Sequence, residues 1–242
     1  MARNQVALIV GAGDAIGSAI VRSFAHRGLT ACAARRNADR LSPLMDELAV
    51  AGLPAFAYAC DARREEAVQA LFARIEREVG ELSAVVFNVG ANVPMGILET
   101  DSRKFFKIWE MACFAGFLTG REAARYMLPR GRGTIIFTGA TASVRGAAGF
   151  AAFASAKHGL RALAQSMARE LGPKNIHVAH VVIDAAVDTA WIAANVPDAA
   201  QLKERDGIVD PDALAANYVM LHDQPRNAWT FELDVRPWME RW

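Results

Sequence analysis

The sequence predicts an α/β protein in which a doubly wound parallel sheet is covered by helices on both faces, giving three layers. Two observations support this prediction. Apolar runs of five to eight residues recur along the chain, as expected of strands that are buried on both sides. Amphipathic or alanine-rich stretches of helical length lie between them, which is the alternation that right-handed βαβ units produce.

Glycines mark the ends of several predicted elements. Gly11 bounds the first strand, and Gly28, Gly52 and Gly80 follow the first three helices, where a C-cap favours glycine. No Ser/Pro-rich linker or repeat interrupts the series, so we predict a single domain over residues 1–242. The predicted strands are residues 5–10, 29–34, 54–59, 82–87, 134–138, 176–183 and 229–235, and the predicted helices are residues 16–27, 39–51, 65–79, 102–127, 150–171, 188–204 and 210–221.

Composition excludes several classes of function. The formal net charge is +1 with acidic and basic residues interspersed, which provides no basic surface for nucleic acid or anionic membranes. The apolar segment 6–10 is too short for a signal sequence or a membrane span. Cys32, Cys60 and Cys113 are scattered and lack metal-ligand spacing. We therefore predict reduced core cysteines, no metal site and a cytoplasmic location.

A glycine-rich segment separates the first predicted strand from the first predicted helix. Gly11, Gly13 and Gly17 follow the pattern G-x-G-x-x-x-G, one residue longer than the common dinucleotide fingerprint. Glycine lets the backbone turn tightly and approach a pyrophosphate, whose charge is met by N–H groups at the helix N-terminus, here near Asp14 and Ile16. The alternative is a tight strand-to-helix turn that binds nothing.

Four further polar features follow predicted strands at the same edge of the sheet. Ligands of doubly wound sheets bind along the carboxyl ends of the strands. Each feature alone is ordinary loop chemistry, such as a solvated charge, a cap or a turn, but their order along one edge favours a binding site. They are Arg35-Arg36 after the second strand, Asp61 after the third, Asn88-Val89-Gly90 after the fourth and Thr189 beyond the sixth.

Together these motifs resemble the short-chain dehydrogenase/reductase family over nearly the whole chain. The family opens with T-G-x-x-x-G-x-G, which corresponds to residues 10–17, and its N-A-G corresponds to residues 88–90. Its Y-x-x-x-K corresponds to residues 153–157, and its acidic residue after the third strand corresponds to Asp61. The resemblance implies a Rossmann-like fold and a dinucleotide cofactor held by Gly11, Gly13, Asp14, Ile16, Gly17, Arg35, Asp61, Asn88, Gly90, Lys157 and Thr189.

The end of the second strand predicts which dinucleotide binds. Where an acidic residue would bind the ribose hydroxyls of NAD, this chain has Ala34 followed by Arg35. A guanidinium beside the adenosine ribose favours a 2′-phosphate. Asp14 opposes this preference, because its charge in the glycine loop would repel the same phosphate. We expect NADP, with NAD as the alternative.

The resemblance also identifies missing catalytic groups. In the family, a tyrosine assisted by a serine, an asparagine and a lysine transfers a proton while hydride moves between the nicotinamide and a carbonyl carbon. Here Phe153, Ala140 and Ala112 stand at the tyrosine, serine and asparagine positions. Lys157 remains as the catalytic and ribose-binding residue, and residues 184–189 lack the family's proline-glycine. Loss of an acid or base typically lowers a rate by roughly 10²–10⁴-fold.

Three functional hypotheses follow. The chain is an oxidoreductase that moves hydride between NADP(H) and a small carbonyl or alcohol with an atypical proton donor, or it is an inactive dinucleotide-binding protein that serves as a redox sensor or structural subunit. The third hypothesis is that Asp14 and Ala15 prevent cofactor binding. The replacement donors considered for the first are Thr141, Ser143, Asp184 and His158.

The remaining segments predict how a substrate and a partner subunit contact the protein. Residues 189–228 form the predicted substrate lid, in which Trp191 and Ile192 indicate an apolar lining. We expect a homodimer or homotetramer, since family members pair through two central helices, here around residues 112–127 and 150–171. The aromatic tail, residues 236–242, fits either a subunit interface or docking on the body of the protein.

Overall fold

The computed structural model describes residues 3–90 and 92–241, and in this part of the chain seven strands form one parallel sheet. The strand order is β3-β2-β1-β4-β5-β6-β7, so the chain winds outward from the middle of the sheet in both directions. The predicted doubly wound parallel sheet is confirmed. The strands are β1 (Gln5–Val10), β2 (Thr30–Arg35), β3 (Ala55–Ala59), β4 (Glu81–Phe87), β5 (Thr134–Thr138), β6 (His177–Ile183) and β7 (Glu232–Val235).

Helices cover both faces of the sheet and enclose two apolar cores. Alternate residues of β1 enter different cores: Val6, Leu8 and Val10 pack in one, and Ala7 and Ile9 in the other. Burial on both faces explains why the strands are continuous apolar runs. The helices are α1 (Ile16–His26), α2 (Ser42–Val50), α3 (Glu65–Glu78), α4 (Ser102–Trp109), α5 (Ala115–Met127), α6 (Ala151–Leu171), α7 (Ala190–Asn195), α8 (Ala199–Glu204) and α9 (Pro211–Asp223).

The winding direction reverses at β1, which lies between β2 and β4. Val10 at the end of β1 pairs with Ala34 of β2 on one side and with Phe87 of β4 on the other. The loops that follow these three strands therefore start at the same level of the sheet. Such a reversal opens the crevice in which doubly wound sheets bind ligands.

Two predicted elements are wrong in extent. The predicted helix 188–204 is two short helices, α7 and α8, because Pro197 has no N–H to continue the first and Asp198 has a left-handed φ of 57°. Of the predicted strand 229–235, only Glu232–Val235 (β7) lies in the sheet. Trp229 lies outside it and stacks on His177 with ring centroids 4.9 Å apart.

One predicted helix contains an irregular turn. Residues 102–127 are helical throughout, as predicted, but Glu110–Phe114 form a π turn between α4 and α5. Ala112, at the position where the resemblance implies an asparagine, lies in this turn and is fully buried. Such turns are common at functional sites.

The described residues offer neither a membrane span nor a metal site. No helix in them is long and apolar enough to cross a bilayer, and no cluster of His, Cys, Asp or Glu is suited to hold a metal ion. Cys32, Cys60 and Cys113 are buried, as predicted, and burial raises the pKa of Cys32 to about 12. In the aromatic tail the indole N–H of Trp238 donates to the carbonyl oxygen of Arg205 at 3.0 Å, while Trp242 lies outside the described residues.

Candidate functional site

A cavity of about 580 Å³ opens at the carboxyl ends of the central strands. Its wall comes from the loops after β1, β2, β3 and β4, from the π turn and from the first residue of α5. Of the residues predicted to bind a cofactor, those that line it are Gly11, Gly13, Arg35, Asp61, Asn88 and Gly90. Those that lie outside its wall are Asp14, Ile16, Gly17, Lys157 and Thr189.

The three glycines of the loop have different roles. Gly11 has a φ of +90°, and a Cβ there would lie 2.6 Å from the carbonyl oxygen of Asn88. A Cβ on Gly17 would lie 2.6 Å from the carbonyl oxygen of Gly11, so this glycine lets α1 pack on the loop. At Gly13 no atom lies within 4 Å of the Cβ position. The space beside Gly13 is therefore open to a ligand.

The N-terminus of α1 follows the glycine loop without a side-chain cap. Ala15 precedes the helix, offers no acceptor, and is followed by a first turn that contains no acidic residue. The first N–H groups of a helix lack intrahelical partners and carry partial positive charge, so an anion can take the place of a cap. The Asn88 amide donates to the carbonyl oxygen of Gly11 at 3.0 Å and fixes the loop to the end of β4.

Two ion pairs lie at the loops after β2 and β3. The Nη1 of Arg35 donates to the Oδ1 of Asp14 at 2.6 Å. The guanidinium of Arg63 donates to both carboxylate oxygens of Asp61, at 2.9 and 2.6 Å. The hydrogen bonds from Arg63 lower the pKa of Asp61, which is therefore a carboxylate at neutral pH. Asp61 thus lines the cavity already paired with a cation, and its contact with a cofactor stays a prediction.

The basic character of the cavity exceeds the prediction. Arg36, Arg40 and Arg63 line it together with Arg35. The sequence carries a signal for this, because three arginines fall within residues 35–40 and Arg63 follows Asp61 by two positions. Arg40 and Arg63 were not predicted, because the motifs that follow the strands include only the residues directly after each strand and not the whole loop.

Lys157 lies behind the cavity and is 2% exposed. Its Nζ donates to the carbonyl oxygen of Thr138 at 2.8 Å and to that of Val89, a cavity-lining residue, at 3.2 Å. Burial lowers the pKa of Lys157 to about 8. The ammonium group also lies 5.9 Å from the centroid of the Phe153 ring. This lysine therefore links the ends of β4 and β5.

The surroundings of Phe153 are apolar. Its side chain is buried in a cluster that includes Ala112, and Ala140 and Met95 pack against the same cluster. The three positions at which the resemblance requires polar groups therefore belong to one hydrocarbon cluster. Within it, these three side chains offer no proton to a substrate.

The polar groups considered as replacement donors are engaged or directed elsewhere. The Thr141 hydroxyl donates to the Oδ1 of Asp184 at 2.6 Å, so its proton is already shared. Ser143 is fully buried, and His158 lies on an exposed side of α6. Thr141 and Ser143 are therefore polar groups of a turn, and His158 is a surface imidazole.

Thr189 acts as a helix cap in this structure. Its Oγ1 accepts the N–H of Ile192 at 3.1 Å at the start of α7. Its predicted role with a cofactor stays a prediction. Ile16 and Gly17 form the first turn of α1, so their contribution is through the backbone of that helix.

The chain matches the sequence profile of the family described as short chain dehydrogenase over residues 5–199. This match spans most of the chain and agrees with the sheet order and the glycine loop described above. The protein belongs to the short-chain dehydrogenase family.

Individual relatives show how far the likeness extends. The 3beta-hydroxysteroid dehydrogenase of Mediterraneibacter gnavus is 30% identical over 189 residues, which cover 77% of this chain and 67% of the relative. The 7alpha-hydroxysteroid dehydrogenase of Escherichia coli K12 is 29% identical over 198 residues, which cover 82% of this chain and 77% of the relative. The aligned regions thus span about two thirds to three quarters of these two proteins.

Solved structures share the fold over nearly the full chain. A short-chain dehydrogenase from Rhodopseudomonas palustris is 50% identical with a TM-score of 0.83, and the match covers 98% of this chain and 100% of that one. A metagenomic short-chain oxidoreductase in complex with NADP has a TM-score of 0.82 at 24% identity, with 98% of each chain covered.

Proposed function

We propose that the protein is an NADP(H)-binding oxidoreductase that interconverts a small carbonyl compound and its alcohol with an atypical proton donor. The observation that carries this proposal is the cavity at the reversal of winding, where the open backbone at Gly13 adjoins an uncapped helix. When bound, the nicotinamide would supply or accept the hydride. Family membership supports the class of reaction.

The charges of the cavity favour NADP over NAD. β2 ends in Arg35 and has Ala34 before it, so β2 itself provides no carboxylate for the ribose hydroxyls. Arg35, Arg36 and Arg40 come from the end of β2 and the segment before α2, and they offer charge-assisted hydrogen bonds to a 2′-phosphate. The N-terminus of α1 would hold the pyrophosphate, and Asp61 would contact the adenine. The NADP complex of the metagenomic relative supports the same choice.

Lys157 is the group that we propose as proton donor. Two of its three ammonium protons are donated to the carbonyl oxygens of Thr138 and Val89, which leaves a third. A pKa of about 8 keeps the group mainly protonated at neutral pH yet able to release a proton. Reduction would then deliver hydride to the carbonyl carbon. Because Lys157 lies behind the cavity wall, its proton would reach the oxygen through a bridging water.

Calorimetric titration with NADPH and with NADH tests the cofactor part of the proposal. We expect both to bind and NADPH to bind more tightly. Failure of both to bind at about millimolar concentration, where even a weak complex forms, would overturn this part.

Single-turnover kinetics test the catalytic part. With NADPH bound at saturation, a panel of ketones and aldehydes should oxidise it, and Lys157→Met should slow the reaction by about 10²-fold or more. The double variant Phe153→Tyr, Ala140→Ser should react faster, because it restores two hydroxyls. If the cofactor binds but only this double variant turns over, the native protein is a dinucleotide-binding protein without catalysis.

Residues 189–228 are proposed to form the substrate lid. Trp191 of α7 is 65% exposed, so an apolar ring is available to a substrate. The hydrogen bond between Trp238 and Arg205 ties the aromatic tail to this segment. We therefore expect a substrate with an apolar face that packs on the Trp191 ring.

A row of aromatic rings along α4, the π turn and α5 supports the proposal of a homodimer, which could pair further into a tetramer. Successive ring centroids in this aromatic row, Phe106, Trp109, Phe114 and Phe117, are 6.3, 6.2 and 6.1 Å apart. Phe106 is 60% exposed and Phe117 38% exposed, which is unusual for such large apolar side chains on a free surface. A second copy of the chain would cover them.

A further inference from the structure

We propose that the aromatic tail limits the size of the substrate, because it ties the proposed lid to the loop that follows β5. This inference rests on the proposed function, since the lid and that loop are the two walls between which a substrate would approach Lys157. It assigns a role in specificity to residues at the end of the chain.

The first contact joins the aromatic tail to the end of α8. The indole N–H of Trp238 donates to the carbonyl oxygen of Arg205 at 3.0 Å. A Cβ on Gly207 would lie 2.7 Å from the Sδ of Met239, so the missing side chain of Gly207 lets Met239 pack on the backbone of the lid. Two neighbouring residues of the tail therefore hold one turn of the lid.

This turn of the lid is fixed to the elements around it. The N–H of Gly207 donates to the carbonyl oxygen of Leu202 in α8 at 2.7 Å. The N–H of Val209 donates to the carbonyl oxygen of Ala186, in the segment after β6, at 3.0 Å. A displacement of the turn is therefore transmitted to α8 and to the start of the lid.

The second contact joins the aromatic tail to the loop after β5. The Oε1 of Glu240 lies 3.9 Å from the Nη2 of Arg145. The same Nη2 donates to the Oδ1 of Asp184 at 3.2 Å, and this oxygen also accepts the hydroxyl of Thr141 at 2.6 Å. Asp184 is 4% exposed and directly follows β6. The loop is thus anchored in the body of the protein at the point where the tail reaches it.

The loop after β5 borders the proposed proton donor. It begins directly after Thr138, whose carbonyl oxygen accepts from Lys157 at 2.8 Å. Ala140, the second residue of the loop, packs against the apolar cluster that contains Phe153. A substrate that enters from the lid to react near Lys157 would therefore lie between the lid and this loop.

The aromatic tail spans the two walls with little slack. Trp238 and Met239 contact the lid, and the next residue, Glu240, contacts the loop. The N–H of Glu240 donates to the carbonyl oxygen of Pro237 at 3.1 Å, which closes the three residues into a turn. A lid held at this distance from the loop admits a small carbonyl compound and excludes a bulky one.

The contact with the lid lies at the surface. Trp238 is 79% exposed and Met239 36% exposed, so their side chains contribute little to the core. Replacement of Trp238 therefore releases the lid without loss of the fold, since surface substitutions have small effects on stability.

Hydrogen–deuterium exchange of the free protein tests the tie without any need for turnover. In Trp238→Ala, the amides of residues 202–209 should exchange about three- to tenfold faster, because a hydrogen bond and an apolar contact are lost. The amides of β1 should be unchanged, which confirms that the fold is retained. Trp191→Ala, which removes a similarly exposed indole from α7, should leave exchange at residues 202–209 unchanged.

Reduction of acetone and of acetophenone tests the consequence for the substrate. In Trp238→Ala the ratio of kcat/KM for acetophenone to that for acetone should rise roughly threefold or more, because the released lid makes room for the ring. The affinity for NADPH, measured by titration, should stay the same, since the tail contacts no residue of the cavity wall.

Each measurement can overturn a part of the inference. Unchanged exchange at residues 202–209 in Trp238→Ala, or an equal increase in Trp191→Ala, would overturn the tie between tail and lid. Faster exchange with an unchanged ratio of kcat/KM would overturn the role in substrate size. If NADPH binds but neither ketone is reduced by the native protein or the variant, the proposed function fails, whereas the exchange data still decide whether the tail holds the lid.

Discussion

At the residue scale, the cavity depends on side chains that are absent as much as on those that are present. A Cβ on Gly17 would overlap the carbonyl oxygen of Gly11, whereas a Cβ on Gly13 would lie in open space. Lys157 is buried and still ionisable, since two carbonyl oxygens accept its protons. These environments lead to two predictions.

The first prediction compares two glycines of one loop. Gly17→Ala should lower the free energy of unfolding by about 2 kcal/mol, because the new methyl group overlaps backbone atoms. Gly13→Ala should change it by less than about 0.5 kcal/mol, yet weaken NADPH binding by occupying the open space. Chemical denaturation and cofactor titration measure the two effects. Equal losses of stability would contradict the assigned packing.

The second prediction concerns pH and Lys157. Folding lowers the pKa of this lysine from 10.5 to about 8, so between these values the unfolded chain binds more protons and the stability contributed by this position rises with pH. The stability difference between the native protein and Lys157→Met should therefore shift in favour of the native protein by up to about 1.4 kcal/mol per pH unit above pH 8.

Guanidinium denaturation of both proteins from about pH 7 to pH 10 measures this difference. The comparison removes the contributions of other groups, such as Cys60, whose pKa burial raises to about 11. Parallel pH profiles for the two proteins would show that Lys157 titrates normally in the folded state.

At the element scale, a buried polar contact joins α9 to β5. The hydroxyl groups of Thr138 and Tyr218 are 2.8 Å apart, and Tyr218 is fully buried. Burial raises the pKa of Tyr218, so its hydroxyl stays neutral. The carbonyl oxygen of Thr138 also accepts from Lys157. Lys157 and Tyr218 of α9 therefore both contact Thr138 at the end of β5.

The third prediction tests this contact with a double-mutant cycle. Tyr218→Phe should cost about 1–3 kcal/mol of unfolding free energy, because it leaves the Thr138 hydroxyl buried without its partner. Replacing both, as Thr138→Val with Tyr218→Phe, should recover most of that loss. Additive losses measured by denaturation would indicate that the two hydroxyls act independently.

At the scale of the whole molecule, apolar residues on both faces of the sheet are covered by helices, but the aromatic row is not. Phe106 and Phe117 stay accessible while β1 is buried on both sides. A chain with about half its residues hydrophobic has enough apolar surface to form both cores and leave some for an interface.

The fourth prediction tests that interface. Phe117→Asp should shift the protein toward a monomer in light scattering after size exclusion, because a carboxylate would be buried against a second copy. Val50→Asp, which places the same charge at a 91% exposed position on α2, should keep the native mass. A native protein that is already monomeric would contradict the proposed homodimer.

The amino-acid sequence by itself determined the fold class and the six strands up to β6. These follow from periodicity and residue type, which are local properties. Only the tertiary structure decided that Asp14 binds Arg35 and that Thr141 donates to Asp184, since residues 21 and 43 positions apart meet only after the strands pair. The same holds for the burial of Lys157, because a side chain's hydration depends on every element that packs around it.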